Sequence, residues 1–175
     1  MKVCILSDSH DHRELLMQAG QEAQAAGAQA ILHCGDIVAP SSLRTLRRYN
    51  LPVHAVEGNN AGDTHSLCQL AAETDGQIVF HGRDAQLTLG GRKIFLVHYP
   101  HYAYGMACTG DWDLVCCGHE HRFSIQRVRN LRGGETVLLN PGTVAGIGAP
   151  PTYVLADLEN MEFAVRQLAE PRSVA

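Results

Sequence analysis

The apolar positions of this 175-residue chain follow two rhythms. In the first half, short apolar runs alternate with stretches of helical period. Val3 to Leu6 is an unbroken apolar run, which predicts a buried strand. Beyond it, Leu15, Leu16, Ala19, Ala23 and Ala26 recur at helical spacing. Asp11 and Glu14 form a capping-box pair at the start of that helix, and Gly27 ends it. Ala30 to His33 predicts a second strand. Ser41 or Ser42 is placed to cap a short helix through Leu43, Leu46 and Arg47. Pro52 opens a third strand, Val53 to Val56, and Asp63 or Thr64 caps a helix carrying Leu67, Leu70 and Ala71.

The second half is richer in strands. Ile78 to Phe80, Ala85 to Leu89, Ile94 to Val97 and Leu114 to Cys117 are predicted strands, with Gly90-Gly91 as a hairpin turn. Phe123 to Val128 and Val137 to Leu139 flank Gly133-Gly134. Tyr153 to Leu158 and Glu162 to Val165 flank Glu159-Asn160. Tyr99 to Asp113 is the least regular stretch. It reads first as a short helix docking its aromatics on the core, and second as a loop that stacks on substrate. No linker, repeat or low-complexity segment interrupts the chain, so one layered α/β domain spanning 1–175 is expected.

Composition narrows the function. The 14 basic and 18 acidic residues leave a net charge of −4, which argues against a nucleic-acid backbone binder. A small phosphate ester remains open as substrate, because a bound metal can outweigh the global charge. The opening Met1 to Leu6 run is too short for a signal-peptide core or a membrane span. The six cysteines contain no C-x-x-C pair and no tetrahedral zinc motif, so a reduced cytoplasmic protein is expected.

Ten histidines are the anomaly, and their placement is informative. Five predicted strands each end in a polar cluster: Ser7-Asp8-Ser9-His10, Gly35-Asp36, Gly58-Asn59-Asn60, His98, and Gly118-His119-Glu120-His121. In layered α/β folds the carboxyl ends of neighbouring strands converge on one crevice. Asp8 and His10, like His119 and His121, are two apart and face the same way if extended. Imidazole with carboxylate suits Mn, Fe, Ni or Zn. Seven candidate ligands exceed the needs of one ion and suit two, roughly 3.5–4 Å apart, sharing a carboxylate. Glycines at 35, 58 and 118 keep the backbone compact beside them.

On these residues the chain resembles the calcineurin-like metallophosphoesterase superfamily, and within it the small YfcE-like phosphodiesterases. Leu139-Asn140-Pro141-Gly142-Thr143 extends the resemblance through the family's Asn-Pro-Gly-Ser turn. The resemblance implies two packed β-sheets flanked by helices, an αββα sandwich. It implies one metal on Asp8, His10, Asp36 and His121, and another on Asp36, Asn59, His98 and His119. Manganese is the first expectation, with Fe, Ni or Zn tolerated. A hydroxide bridging the ions would attack a phosphodiester. The alternative is a non-catalytic interaction scaffold on the same fold. No stable nucleic-acid complex and no membrane are expected, and exposed aromatics near Tyr99 would allow a homodimer.

Two departures from the family pattern matter. Where relatives carry His or Cys-Asp after Gly-Asn, this chain has Asn60-Ala61, and an amide cannot act as an acid. Where relatives carry His-Gly-His, it has His98-Tyr99-Pro100-His101. Leaving-group protonation is therefore expected to fall to His12, His101 or water. Arg13 and Arg122 are secondary candidates for phosphate contact, and His33, His54, His65 and His81 carry no expected role.

Overall fold

The computed structural model describes residues 1–169. The expected domain span of 1–175 therefore includes 170–175, which lie outside the described residues. Among the described residues, eleven strands form two sheets. The first sheet contains β1 (Lys2–Leu6), β2 (Ile31–His33), β3 (Val53–Ala55), β4 (Ile78–Phe80), β10 (Thr152–Asp157) and β11 (Glu162–Gln167), in the order β11-β10-β1-β2-β3-β4. Strands β1 to β4 run parallel, while β10 is antiparallel to β1 and β11 to β10. The second sheet contains β5 (Asp84–Leu89), β6 (Arg92–Val97), β7 (Leu114–Cys116), β8 (Phe123–Arg129) and β9 (Glu135–Pro141), in the order β5-β6-β7-β9-β8. Its central strands β6, β7 and β9 are parallel.

Side-chain alternation explains the layering. On β1, Cys4 and Leu6 face the helices, while Val3 and Ile5 face the other sheet. The middle core also takes Leu32, Leu96, Leu114, Leu139 and Val154. Helix α1 (Arg13–Ala25) covers the outer face of the first sheet with Leu15, Leu16, Ala19 and Ala23. Helices α2 (Pro40–Arg44) and α3 (Thr64–Ala72) and a 3₁₀ turn (Thr45–Tyr49) complete that layer. On the far side, α4 (Pro100–Thr109) covers Phe95, Val97 and Val115. The result is the αββα sandwich. Among the described residues no helix is long and apolar enough to cross a membrane.

Three local expectations are corrected. Asp11 does not cap α1: its carboxylate accepts from the Ala39 N–H at 2.9 Å and the Ser42 hydroxyl at 2.6 Å, tying two loops together. His12 becomes the cap instead, its Nδ1 accepting from the Leu15 N–H. Ser41 and Ser42 sit inside α2, because Pro40 already supplies a preorganised first helical residue. The 99–113 stretch does form a helix, but Ala103 and Ala107 make its buried face, since only small side chains fit so close to the sheet. Tyr104 stays exposed, Tyr102 keeps part of its ring exposed while setting it edge-on to Phe95, and Trp112, beyond the helix, also packs its ring near Phe95.

Candidate metal centre

The carboxyl ends of β1, β2 and β3 in one sheet, and of β6 and β7 in the other, meet at one edge of the sandwich. The loops that follow turn sharply there. Asp8, His10, Asp36, His119 and His121 all take left-handed backbone angles, with φ of 52°, 39°, 55°, 74° and 57°. Asp and His tolerate this region better than most residues, but each still stores some strain. The extended geometry expected for Asp8-His10 and for His119-His121 is therefore replaced by turns. One consequence is that His119 and His121 diverge into different groups.

The first group is Asp8, His10, Asp36 and His121, whose ligand atoms all lie within 4.8 Å of one another. His10 Nε2 is 3.2 Å from His121 Nε2, and His121 Nε2 is 3.2 Å from Asp8 Oδ1. His10 Nε2 also lies 3.6 Å from Asp36 Oδ2. The second group gathers around Asn59. Its Oδ1 is 2.9 Å from His98 Nε2 and 2.7 Å from His119 Nδ1. His98 Nε2 lies 3.4 Å from Asp36 Oδ1. One carboxylate thus presents Oδ2 to the first group and Oδ1 to the second.

Backbone carbonyls fix two of the imidazoles. His98 Nδ1–H donates to Cys34 O at 2.8 Å, and His121 Nδ1–H donates to Ile147 O at 2.9 Å. Each ring then turns its Nε2 lone pair inward in the neutral form. With Nδ1 donating outward, His98 Nε2 faces the Asn59 carbonyl and His121 Nε2 faces Asp8 Oδ1, acceptor against acceptor. A divalent cation satisfies such a donor set, so the residues present fit the metal that the chemistry implies.

The surrounding residues hold this arrangement. Asn60 donates twice to Asp36, from its backbone N–H at 2.8 Å and its side-chain amide at 2.7 Å. Gly58 makes that approach possible, because a Cβ there would sit 2.0 Å from Asp36 Oδ1. Gly35, with φ of +100°, packs where a Cβ would meet His98 Nδ1 at 2.6 Å. The Asn140–Thr143 turn ties two loops together. Asn140 donates to Gly118 O at 2.8 Å, and Thr143 donates to Asp8 O at 3.0 Å. His119 N–H in turn donates to Asp8 Oδ2 at 3.0 Å. Beneath the centre, buried His33 meets the Ser9 hydroxyl at 2.9 Å.

These contacts shift the carboxyl groups in opposite directions. Burial alone would raise Asp36, but the Asn60 hydrogen bonds and the neighbouring His98 and His10 outweigh it, leaving its pKa below the usual carboxylate value. Burial dominates at Asp8 and pushes it up, despite His98, His121 and the His119 N–H. Burial also drives His33 down to about 3, so it is neutral.

The remaining candidates lie outside the two groups. His12 uses Nδ1 on the helix cap, and His101 is exposed on α4, its ring 5.7 Å from that of Tyr99. Arg13 donates to the Ser41 hydroxyl, and exposed Arg122 borders an open hollow with His119 and His121. His54 and His81 pair with each other, Nδ1 to Nε2 at 3.1 Å. Asn60, Asn140 and Thr143 were visible in the sequence as part of motifs. Their roles as braces depend on tertiary contacts that no spacing announces.

The calcineurin-like phosphoesterase superfamily domain matches residues 1–161. The chain belongs to that superfamily. Phosphodiesterase MJ0936 of Methanocaldococcus jannaschii is 26% identical over 166 residues, spanning 93% of this chain and 96% of that protein. The solved structure of an archaeal phosphodiesterase superposes with a TM-score of 0.86 at 25% identity, covering 96% of this chain and all (100%) of that one. YfcE, a phosphoesterase from E. coli, shares the fold with a TM-score of 0.66 at 19% identity, over 97% of this chain and 100% of its own.

Proposed function

We propose that the chain is a phosphodiesterase that works with two divalent cations. Asp8, His10, Asp36 and His121 would hold one, and Asp36, Asn59, His98 and His119 the other. The observation that most supports this reading is the orientation of Asp36, whose two oxygens face two separate imidazole groups. When bound, two such cations would neutralise phosphate oxygens and make hydroxide available near neutral pH. The donor set is nitrogen and oxygen without thiolate, which manganese, iron, nickel and zinc all tolerate, and manganese is the first ion to test. All six cysteines are free thiols, in keeping with a reducing cytoplasm.

The chain's own residues supply orientation. Cys34 O and Ile147 O hold the His98 and His121 rings with Nε2 inward. Asn60 holds Asp36 in its ionised form and, as an amide, offers no acid of its own there. Leaving-group protonation then falls to His101 or His12, or to solvent. General acid catalysis contributes about 10²–10⁴-fold, so esters with poor leaving groups should lag by that order.

The test is a phosphoester panel on metal-stripped protein with each ion restored. Bis(p-nitrophenyl) phosphate should be turned over with manganese, and dialkyl phosphates far more slowly. Comparable rates on both classes would remove the missing-acid argument. Metal-loaded protein inert towards every ester would favour the scaffold reading instead.

A further inference from the structure

A groove leads away from Asn59 that the metal centre does not use. It has a volume of about 450 Å³ and is bordered by Glu57, Asn59, Arg83, Val97, Tyr99 and Tyr102. That volume lies within the usual range for small-ligand sites. The two tyrosines are held as platforms. The Tyr99 ring lies 5.3 Å from that of His98 and 5.6 Å from that of His119. The Tyr102 ring packs edge-on against Phe95 at 5.6 Å, and its hydroxyl donates to Asp84 Oδ2 at 3.3 Å. Tyr102 nonetheless remains 39% exposed, so part of its ring stays open to solvent.

Arg83 supplies the charge. It is exposed and forms no ion pair among the described residues. Its two nearest carboxylates in sequence or groove are engaged elsewhere: Glu57 accepts from the Thr64 hydroxyl at 3.2 Å, and Asp84 accepts from Tyr102. The loop bearing Arg83 is pinned beside the metal centre, because the Glu57 N–H donates to Gly82 O at 2.6 Å. A rigid aromatic wall, an unpaired guanidinium and a hydroxyl-accepting carboxylate thus line one groove that ends at Asn59.

We propose that this groove binds the nucleoside part of a nucleotide ester. The base stacks on Tyr99 and Tyr102, a second phosphate meets Arg83, and the reacting phosphodiester lies at the Asn59 end. Aromatic side chains accept any base face, and a guanidinium pairs with phosphate through two parallel hydrogen bonds. The inference rests on the phosphodiesterase reading for its catalytic half but makes a binding claim of its own.

Three p-nitrophenyl diesters with the same leaving group separate the parts. They are methyl p-nitrophenyl phosphate, thymidine 5′-(p-nitrophenyl phosphate), and the latter carrying a 3′-phosphate. With manganese, KM should fall about tenfold from the methyl to the thymidine ester, and about tenfold again with the 3′-phosphate. Arg83→Gln should erase the second step, and Tyr102→Ala should shrink the first. Arg129→Gln, on exposed β8, should keep both. Equal KM values across the series, or a 3′-phosphate preference that survives Arg83→Gln, would overturn the proposal. Calorimetry with thymidine 3′,5′-bisphosphate on metal-free protein gives a readout independent of turnover. Arg83-dependent binding without hydrolysis of any ester would keep the groove and remove the phosphodiesterase reading. Hydrolysis of the methyl ester without Arg83-dependent binding would do the reverse.

Discussion

Asp36 separates two unlike halves. On one side stand Asp8, His10 and His121, with Asp8 fully buried and held through its backbone and carboxylate by Thr143 and His119. On the other stand buried His98, His119 and Asn59, which is neutral and exposed. The first half has two carboxylates to offer a cation, counting Asp36, and the second has only the shared one. On the proposed two-cation reading, charge count and rigidity both favour the first half as the tighter site. The comparison teaches that a carboxylate placed between two unlike donor sets would give two sites of different affinity, the difference being set by what stands opposite it.

The largest break in this comparison is Asp36→Asn. It should weaken both halves together and lower activity on bis(p-nitrophenyl) phosphate by more than about 10²-fold, since loss of a ligand exceeds the usual cost of losing a supporting residue. Retained turnover would contradict the shared role. Asn59→Ala should act on the second half alone. Manganese titration calorimetry should then show the tighter binding event preserved and the weaker one lost. Loss of the tighter event would invert the assignment. A smaller effect is expected from Asn60→Ala, which removes one of the two hydrogen bonds from this residue to Asp36. Activity should fall about 10–100-fold. Circular dichroism should show the fold unchanged, because exposed Asn60 contributes little to the core.

The smallest effect concerns stability and involves neither half directly. Buried His33 has its folded pKa depressed to about 3, from an ordinary 6.5. Between those values the unfolded chain binds a proton that the folded one does not. The contribution is therefore fully present above about pH 6.5 and is lost as pH falls toward 3, by at most about 1.4 kcal/mol per unit. Urea unfolding from pH 7 to pH 5 should show this slope, and His33→Gln should flatten it. An unchanged slope in the variant would mean that other groups dominate.

Much of the fold was legible because the buried strands are continuous apolar runs and each of five ends abruptly in polar residues. That placement is enough to point to all seven candidate ligands. What stayed hidden depended on contacts between distant segments. Asp11 has the right spacing for a helix cap, yet Ala39 and Ser42 claim its carboxylate. Asn60 looks like a turn residue until Gly58 lets the loop close on Asp36. His119 and His121 have strand spacing, but left-handed turns send them to different groups. A stacking role for the Tyr99–Asp113 stretch was open in the sequence as a second reading, but which tyrosines line the groove was not, because that depends on α4 burying Ala103 and Ala107.

The most direct test is anomalous X-ray scattering from crystals grown with manganese. Two peaks flanking the Asp36 carboxylate are expected, one beside His10 and His121 and the other beside Asn59, His98 and His119. A single peak, or manganese bound away from Asp36, would contradict the two-cation centre.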